Sequence, residues 1–275
     1  MQSQTSYLER SSSKGIFYRI YGQEKSPTPL LMVMGYGGCM FAWPLEFVGK
    51  LAQNRPVIIF DNRGTGRSAA LEGSEELRIG DFANDIKFLL ADLGISKADI
   101  FGYSMGGCVS LEFAYRYPEH CRRMILQSTT AGGSMYTGAD PEIKERLANP
   151  RGSNFDEMLF DFFDLCMTQN AIEDKRLVLE GICANARPYP TSPRVLQAQL
   201  KAFRNFDASE YCSLIKQEVL LLHGHKDRIL KIENGVSLAS ALANCKSQFF
   251  DDCGHCPHIE HETAVVSELS AFLNG

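Results

Sequence analysis

The chain has 275 residues, enough for one large domain or for a core domain carrying an insertion. Apolar residues make up 44% and charged residues 22%, the balance of a folded globular protein rather than a disordered one. The net charge of −5 comes from 28 basic and 33 acidic residues with no long run of either sign, so neither nucleic acid nor an anionic membrane is expected as a partner.

The N-terminal stretch MQSQTSYLERSSSKG is polar and lacks the apolar run of a secretory signal. No segment approaches the roughly 18 consecutive apolar residues of a spanning helix. Nine cysteines, an odd number scattered from Cys39 to Cys256, read as reduced thiols that serve mostly as small core residues, and the expected location is the cytoplasm.

There is no internal repeat or low-complexity tract; short apolar runs alternate with helical patterns. In chain order the predicted strands are GIFYRIYG (15–22), LLMVMG (30–35), PVIIFD (56–61), ADIFGYS (98–104), RMILQST (123–129), EVLLLHG (218–224) and KSQFFDD (246–252). Predicted helices fall between them at 81–94, where Phe82, Ile86, Leu89 and Leu90 share one face, and at 105–117, 233–244 and 263–273. Buried strands alternating with helices predict an α/β fold with a mostly parallel central sheet flanked by helices. One connection is far longer than a crossover needs: residues 131–217. It contains four helical patterns (PEIKERLAN, FDEMLFDFFDLCM, AIEDKRLVLEGICANA and PRVLQAQLKAFRNF). The expectation is an inserted helical cap over residues 131–217, covering a site built by a core of residues 1–130 and 218–275.

GYSMGG (102–107) ends an apolar strand and opens a helical pattern. In that setting a sharp turn exposes Ser104 as a nucleophile, with Gly102 and Gly106 leaving room and the helix N-terminus favouring developing negative charge. A serine hydroxyl needs a base, and the base an orienting acid. Asp227 stands just beyond the strand LLLHG, and His255 just beyond QFFDD. Ser104, Asp227 and His255 follow one another in the chain order this architecture uses. Asp251 and Asp252 lie near His255 in sequence, but no carboxylate follows RMILQST, and Asp227 is the expected acid.

With these motifs in order, the chain resembles the α/β-hydrolase family over nearly its whole length. The likeness rests on GYSMGG, HGHKD, GHCPHIE, MGYGG (34–38) and DNRGTGRS (61–68). Met34 stands where the family commonly has histidine before the oxyanion loop. The family pattern implies backbone N–H donors at Tyr36 and Met105 for an oxyanion. It also makes His258 and Glu260 structural, as Asp61, Arg63, His223 and His225 are read to be.

The cluster DDCGHCPHIEH (251–261) invites metal or redox readings as well. Cys253, His255, Cys256 and His258 supply zinc-ligand types, yet three ligands in four residues are too tight for a two-plus-two site, and no second CxxC exists. A redox CxxC normally sits on the first strand-to-helix turn of a smaller fold. A catalytic His255 is therefore expected, with no metal and no cofactor.

The expected function is hydrolysis of a carboxylic ester or related acyl bond of a small to medium, apolar molecule through an acyl-enzyme on Ser104. Gly35, Trp43, Tyr103, Phe162 and Phe163 are the expected substrate contacts, the last two from the Phe-rich cap. The alternatives are C–C bond hydrolysis of a diketone or lactone opening on the same triad, or a slow-turnover ligand-binding receptor. Aspartate-dependent dehalogenases and epoxide hydrolases are set aside by Ser104. Hydroxynitrile lyases are set aside by Cys256 in the place of their lysine.

Overall fold

Unbroken apolar runs become strands where both sheet faces are covered, because every side chain then meets a packed layer. The computed structural model describes residues 7–22, 28–71 and 76–275; residues 1–6, the start of the polar N-terminal stretch, lie outside it. Among the described residues eight strands form one sheet: β1 (Tyr7–Ser11), β2 (Phe17–Tyr21), β3 (Leu30–Val33), β4 (Val57–Phe60), β5 (Ala98–Tyr103), β6 (Cys121–Gln127), β7 (Glu218–Gly224) and β8 (Cys245–Phe250). Their spatial order is β1-β2-β4-β3-β5-β6-β7-β8. The β1–β2 and β2–β4 pairs are antiparallel, and the other pairs are parallel.

The helices are α1 (Leu45–Leu51), α2 (Ile79–Asp92), α3 (Met105–Arg116), α4 (Pro141–Ala148), α5 (Phe155–Cys166), α6 (Gln169–Asp174), α7 (Arg176–Ala186), α8 (Pro193–Arg204), α9 (Ile232–Ala241), α10 (Pro257–Glu260) and α11 (Glu262–Asn274). Strand periodicity divides the core in two. Leu31, Val33, Ile58 and Phe60 pack on one face with Phe82, Ile86 and Leu89 of α2. Leu30, Met32, Val57 and Ile59 pack on the other with Phe47 of α1 and Leu269 of α11. No helix among the described residues is long and apolar enough to cross a membrane.

Helices α4–α8 are inserted between β6 and β7. The chain leaves and rejoins at a neck, where Ala208 N–H donates to the Ala131 carbonyl at 2.7 Å and Gly133 N–H to that of Phe206 at 3.2 Å. Beyond the neck, Ala208, Cys212 and Ile215 pack into the main core. The third predicted cap helix is two helices, because the backbone turns at Lys175 (φ −100°, ψ 12°). The acidic face of α5 is tied to α4, with Arg146 bonding Asp161 at 2.5 Å and Asp164 at 2.7 Å.

Strand β3 lies between β4 and β5, so the chain departs from it in one direction and returns on its other side. The loops after β3 and β5 therefore diverge at a topological switch point, where sheets of this kind open a crevice. Residues 34–38 and Ser104 occupy those two loops.

Candidate active site

Ser104 joins β5 to α3 with φ 54° and ψ −122°, a region that non-glycine residues avoid at a cost of about 1–3 kcal/mol. The surrounding packing enforces it. A Cβ on Gly102 would lie 2.4 Å from the Gly106 carbonyl, and one on Gly106 only 2.1 Å from that of Val33. Ser104 N–H donates to the Gln127 carbonyl at 2.9 Å, while its own carbonyl accepts from Thr129 Oγ1 at 2.7 Å. The backbone on both sides of Ser104 is thus pinned.

Asp227 follows β7 and His255 follows β8; both side chains are buried. His255 Nδ1 meets Asp227 Oδ2 at 2.6 Å. The other carboxylate oxygen accepts the Ile229 and Leu230 amides at 2.8 and 2.9 Å. Burial alone would raise the Asp227 pKa, but the adjacent His255 and His223 rings hold it down at about 2. An ionised Asp227 accepts only, so His255 Nδ1 carries the proton and Nε2 is left as the basic nitrogen. His223 Nε2 donates to the Leu230 carbonyl at 2.7 Å and lies 3.3 Å from Asp227 Oδ2. Asp251 and Asp252 take no part here: they face His225 and Lys226 at the surface.

The His255 loop is itself braced. His255 N–H donates to the Cys166 carbonyl at the end of α5 at 2.5 Å. Glu260 accepts Gly254 N–H with one oxygen at 2.8 Å, and Thr168 N–H and Oγ1 with the other, each at 2.9 Å. His258 is buried beside Trp43 and Tyr103, takes a hydrogen bond from Gln127 Nε2 at 2.6 Å, and is kept neutral. Burial, with His255 adding to it, lowers its pKa to about 3. All nine cysteines are free thiols; Cys256 faces the Tyr103 hydroxyl at 3.2 Å and Cys253 contacts Glu260. Among the described residues no three His, Cys, Asp or Glu side chains are grouped to hold a metal.

The loop after β3 sits directly on Ser104: a Cβ on Gly35 would lie 3.0 Å from Ser104 Cβ. Met105, first residue of α3, has an amide with no acceptor in its own helix. Where a histidine is commonly found, the Met34 side chain runs beneath Gly38, and its carbonyl accepts from Asn62 Nδ2 at 3.0 Å. Asp61 receives Met40 N–H at 2.7 Å, and Arg63 pairs with Asp85. The DNRGTGRS turn therefore serves as scaffolding under this loop.

A profile of the α/β-hydrolase fold family matches residues 28–172. Together with the sheet order and the elbow at Ser104, this decides the assignment. The chain belongs to the α/β-hydrolase fold family. It is 29% identical to a 2-hydroxymuconate semialdehyde hydrolase of Pseudomonas sp. (strain CF600), covering 89% of this chain and 86% of that one. It is likewise 29% identical to a 2-hydroxy-6-oxo-6-phenylhexa-2,4-dienoate hydrolase of Burkholderia cepacia, covering 99% and 97%. Among solved structures, an esterase from Rhodococcus sp. superposes with a TM-score of 0.81 at 22% identity, over 98% of this chain and 99% of that one; at that identity the likeness concerns the fold.

Within this α/β-hydrolase the expected substrate contacts divide. Gly35 adjoins Ser104, and Tyr103 precedes it, with the Tyr103 ring 5.2 Å from that of His255. Trp43 is 0% exposed and stacked among Phe47, Phe101, Tyr103 and His258. It follows the loop at residues 34–38 closely in sequence and comes directly after the short 3₁₀ turn at Met40–Ala42. Phe163 is buried in the same core, and Phe162 is partly buried against it. Tyr36 stands exposed. Sequence reasoning missed Gln199 and Thr191, which hydrogen-bond Gly37 from α8 and its approach. Nothing marks them in the sequence, since each is a lone polar residue whose partner lies over 150 positions away.

Proposed function

We propose that this protein is a serine hydrolase that cleaves an ester or related acyl bond of a small, apolar molecule through an acyl-enzyme on Ser104. The observation that carries the reading is the buried 2.6 Å Asp227–His255 pair, set in the loops of the same sheet edge as a serine held at φ 54°. His255 Nε2 takes the Ser104 proton as Oγ attacks the carbonyl carbon. The oxygen becomes an anion facing the Tyr36 and Met105 amides. His255 then protonates the leaving alcohol, and water attacks the acyl-Ser104 by the same relay. Helices α4–α8, inserted within residues 131–217, serve as the cap, and their richness in Phe, Leu and Met supports an apolar acyl group. Nine free thiols accord with a cytoplasmic setting.

A second reading is hydrolysis of a C–C bond in a dienoate-type diketone. It is supported by the two relatives at 29% identity, one named for 2-hydroxymuconate semialdehyde and the other for 2-hydroxy-6-oxo-6-phenylhexa-2,4-dienoate. The chemistry differs in one demand: a carbon leaving group must be protonated at carbon, whereas an alkoxide can take its proton directly from His255.

Purified protein assayed in parallel on p-nitrophenyl butyrate and on 2-hydroxy-6-oxo-6-phenylhexa-2,4-dienoate separates the two by their kcat/KM values. Ser104→Ala should lower turnover about 10⁶-fold on whichever is the substrate, with an unchanged circular dichroism spectrum. A Ser104→Ala protein that kept a tenth of the activity would remove Ser104 from the chemistry. A single stoichiometric burst without turnover would instead indicate a receptor.

A further inference from the structure

The proposed oxyanion donor at Tyr36 is followed by Gly37, and both polar groups of Gly37 are held by the inserted helices. Its N–H donates to Gln199 Oε1 at 2.8 Å, and its carbonyl accepts from Thr191 Oγ1 at 2.7 Å. Thr191 lies just before α8, which begins at Pro193, and Gln199 lies within that helix. One helix and its approach thus grip a single residue by both ends of its peptide groups. Gly37 lies at φ +69°, a conformation that favours glycine, and a Cβ there would meet the end of the Leu196 side chain at 2.7 Å. Phe41, three residues beyond the loop, stacks on Tyr189 at 5.4 Å between ring centroids, extending the same contact.

Gln199 is fully buried. Only its Oε1 can accept the Gly37 N–H, so Nε2 faces away, and it finds no acceptor among the described residues. An apolar side chain of the same size would remove the unpaired Nε2 but leave the Gly37 N–H without this acceptor. The residue type is therefore accounted for by what its oxygen does to Gly37.

We infer that Gln199 and Thr191 are positioning residues, through which the inserted helices set the oxyanion loop so that the Tyr36 amide aims at the developing charge. This rests on the serine-hydrolase reading. Preorganised donors lose effect steeply when displaced by an ångström, so the clamp acts on turnover more than on substrate binding.

The test compares Gln199→Met and Thr191→Val with the conservative Thr191→Ser, using p-nitrophenyl butyrate with the parent and Ser104→Ala as controls. Gln199→Met and Thr191→Val should each lower kcat about 10- to 100-fold with KM within about twofold, and Thr191→Ser should stay near the parent. Thermal midpoints of Gln199→Met should stay close to the parent, since one unpaired donor replaces another, while hydrogen–deuterium exchange over residues 34–40 should quicken. Unchanged kcat in both variants beside an inactive Ser104→Ala overturns the inference and leaves the hydrolase reading standing. A loss of activity that merely tracks a lowered thermal midpoint also overturns it. If the parent shows no Ser104-dependent turnover, the hydrolase reading itself falls, and the exchange data still judge the clamp: unchanged protection at residues 34–40 refutes it.

Discussion

At Gly106 the demands of packing and chemistry meet. The turn that lifts Ser104 into the crevice brings α3 so close to β3 that a methyl group would press to 2.1 Å from the Val33 carbonyl, where a backbone cannot give. Gly106→Ala should therefore cost about 2–3 kcal/mol or more of stability, read as the urea midpoint of the purified protein. A variant as stable as the parent would mean that the elbow is looser than its geometry. Both the glycine and the serine were legible in the sequence as G-x-S-x-G, because the strained turn is local and only small residues satisfy it. Trp43 was not legible in the same way. A large aromatic near an oxyanion loop reads equally well as pocket lining or as core, and only the path of the chain after Met40 decides between them.

At the scale of elements, α10 behaves as a bracket. Its last residue, Glu260, joins the His255 loop to the start of α6 through Gly254 and Thr168, linking core and inserted helices by one carboxylate. Hydrogen bonds to a charged group contribute about 1.5–3 kcal/mol each, so Glu260→Ala should cost about 3 kcal/mol and loosen His255. Glu260→Gln, which keeps one acceptor oxygen, should be milder. Chemical denaturation of the two variants, with kcat alongside, checks the order; equal stability of Glu260→Ala and the parent would count against the bracket. Most elements could be read from periodicity, since the apolar runs at 30–35, 56–61 and 98–104 each hold a fully buried strand. Strand β1 could not, because YLERS carries no apolar alternation and takes its conformation from pairing with β2. The break at Lys175 was hidden too, for the helical pattern runs on through it.

For the whole molecule, acid stability follows from two groups at the site. An unfolded histidine ionises near pH 6.5, whereas His258 resists protonation down to about 3. Between those values the unfolded chain binds a proton that the folded one refuses. Stability is then complete above about pH 6.5 and falls on acidification by up to about 1.4 kcal/mol per pH unit. Asp227, held at about 2, adds a further loss between about pH 3.9 and 2. Asp61 and Asp85 oppose this, since burial raises both, and a raised carboxyl favours the folded state in acid. Urea midpoints between pH 4.5 and 7 should fall less steeply in His258→Gln than in the parent; identical slopes would remove His258 as the cause.

From its residues alone the chain disclosed an α/β core and a helical insertion, and it gave the grounds for proposing Ser104, Asp227 and His255 as a set. Each of those signals is short-range: a strand ending, a tight turn, a helix beginning, an apolar period. The order of strands across the sheet, the burial of Trp43, the bracing by Glu260, and the grip of Gln199 and Thr191 on Gly37 came only from the folded molecule. They join segments from about 90 to over 160 positions apart, or depend on where a side chain points once the layers close, and no local pattern encodes such a meeting.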